Sequence, residues 1–96
     1  MIILSQDKKT ILNFKNIQDI RIETYGTHEK GVKVYKIFAG NFEGYATELG
    51  KYKTEERAKE VLNEIMENYK NWEYTKMGRL IIGKVVCDAI YKMPEE

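Results

Sequence analysis

The sequence predicts an α+β fold, an antiparallel meander of five to six short strands packed by one long amphipathic helix. Three observations carry this expectation. Short runs of β-forming residues recur through residues 2–52, separated by polar or glycine-containing turns. The apolar spacing then changes from every second residue to every third and fourth across TEERAKEVLNEIMENYKNW. The chain of 96 residues has one proline, no internal repeat and no low-complexity run, which fits one domain spanning 1–96.

The elements follow in order. Ile2–Leu4 reads as a first strand, Gln6–Lys9 as its turn, and Thr10–Phe14 as the returning strand. In IQDIRIETY, Ile20, Ile22 and Thr24 share one face and Asp19, Arg21 and Glu23 the other, which is a half-buried strand. GTHEKG is a loop between two glycines. In VKVYKIFA, Val32, Val34 and Phe38 share a face with Lys36, while Tyr35, Ile37 and Ala39 lie opposite. After a turn at Gly40–Asn41, a fifth strand spans Phe42–Tyr52.

The helix stripe is Ala58, Val61, Leu62, Ile65, Met66, Tyr69 and Trp72. Thr54 is suited to cap its N-terminus, Glu55 and Glu56 favour the first turn, and Gly78 is suited to end it. The tail GRLIIGKVVCDAIYKMPEE fits both periods. Its Ile, Val, Cys and Tyr content favours a final strand that rejoins the sheet, with a second helix as the competing reading. One helix covers one face of such a sheet, so apolar strand residues left over predict a homodimer or higher homo-oligomer, most simply two-fold.

Composition narrows the function. A net charge of +1 argues against a protein held to nucleic acid by bulk charge. One cysteine, Cys87, precludes an intrachain disulfide and fits a reducing cytoplasm. No apolar run approaches a membrane span, and the N-terminus has no signal-peptide pattern. A cytoplasmic protein without membrane contact is therefore expected.

Catalytic chemistry finds no foothold. His28, the one histidine, lies in a polar loop, and Cys87 lies in an apolar run with no second histidine to activate it. One His and one Cys do not make a standard zinc site. GNFEG and GTHEKG lack the Lys-Ser ending and following helix of a phosphate loop. A non-enzymatic protein with no cofactor and no metal is the expectation. Ligand binding asks for less. Among three arginines, Arg57 sits in the first helical turn beside glutamates, and Arg21 sits on a polar strand face where an ion pair competes with a ligand role. Arg79 follows Trp72, Tyr74 and Gly78 where the helix ends. Rings beside an arginine can stack a base while the guanidinium holds a phosphate. The candidate ligand-binding set is Arg79, Trp72, Tyr74, Arg21 and Tyr69.

Three stretches, MIILSQDKKTILNF, LGKYKTEERAKEVLNEI and IYKMPEE, resemble small proteins of Firmicutes phages and prophages, in particular the Thoeris anti-defence sponges that sequester glycocyclic ADP-ribose signals. The resemblance covers the first fourteen residues, roughly 49–65, and the last seven. It implies a small α+β dimer or higher assembly that binds a cyclic nucleotide immune signal in the infected bacterial cell without cleaving it. The competing expectation is a phage-encoded inhibitor that binds a host protein through its sheet face or an edge strand.

Overall fold

The computed structural model describes residues 1–26, 31–78 and 90–96, with backbone alone for 73–78. The described chain is α+β, with antiparallel hairpins and one helix. Strand β1 (Ile2–Leu4) is followed by β2 (Ile11–Asn13), a single 3-10 turn (Phe14–Asn16), β3 (Ile17–Gly26), β4 (Lys33–Asn41), β5 (Ala46–Tyr52), α1 (Glu55–Gly78) and β6 (Ile90–Lys92).

The single meander expected from the sequence is instead two three-stranded sheets, β2-β1-β6 and β3-β4-β5. The break has a local cause. A meander needs β2 to reverse into β3, but Asn13 Oδ1 accepts the backbone N–H of Lys15 at 3.0 Å and caps a 3-10 turn there. That side-chain bond offers the backbone an alternative to a ladder, and the chain leaves the first sheet. The vacant edge of β1 is taken by β6, which pairs parallel with it, Ile2 opposite Ile90 and Leu4 opposite Lys92. The final strand therefore does return to a sheet, but only as Ile90–Lys92, and residues 79–89 of the tail lie outside the described residues. The fifth strand is shorter than expected. Phe42–Tyr45 forms the β4–β5 turn, where Asn41 Oδ1 accepts N–H groups from Glu43 and Tyr45 and Gly44 takes a left-handed φ of +93°.

The first hairpin is a closed set of bonds. Ser5 Oγ donates to Asp7 Oδ1 at 2.6 Å and accepts from the N–H of Thr10, while Asp7 also accepts from the N–H of Lys9. These bonds, that of Ser5 first, hold the Asp7 carboxyl below its usual range. Gln6 then joins the two sheets. Its N–H donates to Leu49 O at 2.7 Å, and its side chain accepts the Lys51 N–H and donates to Lys51 O, Pro94 O and Glu95 O. The open edge of β5 is thereby covered.

Helix α1 starts as its sequence predicts, with Thr54 Oγ1 accepting the N–H of Arg57 at 3.1 Å. Ala58, Val61 and Ile65 are fully packed against Ile3, Ile37 and Leu49. Burying a side chain the size of Ile65 is worth about 1.5–3 kcal/mol. Ile37 and Ala39 face this core, and Val34, Lys36 and Phe38 face outward. Among the described residues, no helix is long and apolar enough to cross a membrane.

Candidate functional site

The helix stripe continues past the core. At Ile65 it is buried, at Leu62 and Tyr69 it is half-buried, and at Met66 it is exposed. The apolar stripe is wider than the buried core it covers, so its flank at Leu62, Met66 and Tyr69 stays partly exposed. The shelf left over is an apolar groove of about 310 Å³ between α1 and the start of β3. Ile17 and Ile20 form one wall and Leu62, Ile65 and Met66 the other, with Gln18, Asp19 and Asn63 as polar points.

One end of the groove is closed by aromatic rings. Phe14, delivered by the 3-10 turn, stacks on Tyr69 with centroids 4.3 Å apart and planes 18° apart. Tyr69 in turn meets Trp72, one helical turn on, at 6.1 Å and 31°. The near-parallel Phe14–Tyr69 pair is a surface on which a further planar ring can stack. The described lining offers rings, amides and the Asp19 carboxylate but no cation, so a phosphate-bearing ligand needs its charge met from outside this lining.

Of the candidate ligand residues, Tyr69 and Trp72 come together. Tyr74 lies in α1 with its side chain outside the described residues, and Arg79 lies outside them entirely, as do His28 and Cys87. Arg21 is elsewhere. It stands on the outer face of β3, where Nε donates to Glu23 Oε2 at 2.6 Å and Nη1 to Asp19 Oδ2 at 3.0 Å, with the guanidinium 5.9 Å from the Phe38 ring centre. Glu23 above all, then Asp19, raises the Arg21 pKa. Glu23 also accepts the Tyr25 hydroxyl at 2.7 Å, which with Arg21 keeps its carboxyl low. Lys36 bridges to Glu48 at 3.1 Å and sits 4.9 Å over Tyr25. The outer sheet face is a lattice of matched charges and rings, and Arg21 is committed to it rather than to the groove. Arg57 behaves as its helical position suggests, pairing with Glu60 at 3.1 Å and Glu64 at 3.6 Å.

A larger cavity, about 470 Å³, lies at the other end of α1 between Lys51, Lys53, Thr54, Arg57 and Glu95–Glu96. Part of its charge is answered from within the chain, since Arg57 donates to Glu96 O at 2.9 Å and Lys8 pairs with Glu95 at 3.2 Å, and its described lining carries no stacked rings. The smaller aromatic groove is the better candidate. Among the described residues, no group of three His, Cys, Asp or Glu side chains could hold a metal ion. Of the candidate ligand residues that the sequence offers, only Tyr69 lines the groove; Leu62, Ile65 and Met66 read as the core stripe, and Phe14 and the wall from Ile17 to Ile20 do not read as site residues. Phe14 reads as the last residue of a strand, and only the Asn13 cap that turns it inward marks it out. Comparison with protein families, with curated proteins and with solved structures finds no match to this chain.

Proposed function

We propose that the protein is a binding protein, not an enzyme, and that it holds a ring-bearing small molecule in the aromatic groove unchanged. The ligand class is the one that the resemblance implies, a cyclic ADP-ribose type of immune signal, and the protein acts as a phage-encoded anti-defence sponge in the infected cell. The observation that carries this reading is the Phe14–Tyr69 stack at the end of an apolar groove, with Trp72 tilted against Tyr69. The groove suits one base-sized ring. The ribose and pyrophosphate would then lie outside it, with their charge met from beyond the described lining; Arg79, which follows α1 in sequence, is the candidate the sequence offers for that cation.

Sequestration demands tight binding and no chemistry. Nanomolar affinity corresponds to about −12 kcal/mol. Calorimetry with cyclic ADP-ribose and a panel of cyclic nucleotides tests the proposal, with mass spectrometry on ligand released by heat. The expected result is saturable binding, a rise in Tm with ligand, and release of the intact molecule. Tyr69→Ala or Trp72→Ala should weaken binding by roughly 1–3 kcal/mol, the scale of base–aromatic stacking. A hydrolysed product would replace the sponge with an enzyme. Silence across the whole panel would leave the inhibitor of a host protein as the reading to pursue.

A further inference from the structure

Strand β3 has ten residues and, among the described residues, a hydrogen-bonded neighbour on one side only. Proteins usually blunt such an edge with lysine, proline or a bulge. β3 has no lysine and no proline. Its one irregularity, between Ile17 and Asp19, lies at the start and leaves Asp19–Gly26 in unbroken register with β4. Beside the same edge, α1 turns Leu62 and Met66 into the apolar groove, Met66 being 58% exposed. An edge of this length, unpaired among the described residues and flanked by apolar helix surface, calls for a strand to complete it.

We propose that the strand is β3 of a second copy, paired antiparallel about a two-fold axis through Ile22. The charge order selects this partner and this register. In an antiparallel pair centred on Ile22, Arg21 lies opposite the partner's Glu23, and Glu23 opposite the partner's Arg21. Asp19 meets the partner's Tyr25. Every outer-face pair is then complementary, and each Arg21–Glu23 bridge of the single chain joins a network across the seam. Centring one residue earlier sets Arg21 against the partner's Arg21 and Asp19 against the partner's Glu23, and like charges directly opposite are destabilising. Centring on Ile20 runs the pairing into the irregular Ile17–Asp19 step.

The product is one continuous six-stranded sheet. A two-fold axis perpendicular to it leaves both α1 helices on the same face, with the two grooves opening toward the seam. The interface does not depend on the nucleotide reading, and it is tested without ligand.

Sedimentation at tens of micromolar should give twice the chain mass of 11.3 kDa. Arg21→Glu and Glu23→Arg should each raise the dimer dissociation constant by about tenfold or more, since each sets like charges opposite one another, and the double exchange should restore it. Circular dichroism checks that each variant is folded. In a Cys87→Ser background, Ile22→Cys should form a disulfide-linked dimer under mild oxidation, because residues facing each other across a two-fold antiparallel pair approach within disulfide reach. Phe42→Cys, at the distant β4–β5 turn, should not. A wild-type monomer at these concentrations, a dimer indifferent to the charge reversals, or cross-linking through Phe42→Cys and not Ile22→Cys would overturn the proposal.

Discussion

One glutamine shows how much a single side chain can carry in a chain this small. Gln6 closes the β1–β2 turn, yet its amide serves the Lys51 N–H and the carbonyls of Lys51, Pro94 and Glu95. It acts as a short strand, answering the β5 edge with both a donor and an acceptor. No sequence pattern announces this, because Gln6 reads only as a polar turn residue. Gln6→Ala should therefore cost about 1–3 kcal/mol, more than an ordinary surface substitution, because it strands several partners at once. Urea unfolding measures it, and a loss below about 0.5 kcal/mol would mean that water replaces the amide. Gly40 makes the complementary point on the outer face. A Cβ there would run into the Asp19 carboxylate, so the glycine is what lets Asp19 fold over β4 and reach Arg21. Gly40→Ala should therefore displace the Asp19 carboxylate from Arg21, seen as a change in the Arg21 guanidinium signals by NMR.

At the scale of elements, the parts written by period were legible and the parts written by local competition were not. The alternation of Ile20 and Ile22 against Asp19, Arg21 and Glu23 places β3 correctly, and the three-four spacing of Ala58, Val61 and Ile65 places α1 and its buried face. Ile65→Ala should cost roughly 2–5 kcal/mol, read from the denaturation midpoint, since it is 2% exposed in the cluster with Ile3, Ile37 and Leu49. Met66→Ala should cost far less, because Met66 faces the groove. The separation into two sheets was illegible because it hinges on one bond, from Lys15 N–H to Asn13 Oδ1. The parallel pairing of β6 with β1 was illegible because it joins the two ends of the chain and leaves no local signature. The candidate groove divides along the same line. Tyr69 and Trp72 belong to the helical stripe and could be read from it, whereas Phe14 reaches them only through the fold.

The whole molecule is closed by its tail, and two tyrosines do much of the closing. Tyr52 on β5 donates its hydroxyl to Pro94 O at 2.8 Å, and Tyr91 on β6 donates to Glu64 of α1 at 2.7 Å. Together they tie both sheets and the helix to residues 91–94. Burial pushes the Tyr52 hydroxyl up to about 12. Burial first, then the bond to Glu64, pushes Tyr91 upward as well. Both groups are neutral when protonated, and both hold their protons more tightly in the folded state than in the unfolded chain. Above the ordinary tyrosine range, near pH 10, the unfolded chain loses these protons while the folded one keeps them. The unfolded state then binds fewer protons, so stability must fall as pH rises. The stabilisation is complete below about pH 10 and declines from there toward the folded-state value near 12 for Tyr52. Thermal melts followed by circular dichroism should show Tm level from pH 7 to 9 and dropping across that alkaline window. Tyr91→Phe keeps the ring and removes the ionisable hydroxyl, so it should flatten part of the drop while lowering Tm at neutral pH through the lost bond to Glu64. A Tm that holds steady through pH 11 would mean that these hydroxyls are open to solvent and that the tail is not clamped between the sheets and the helix.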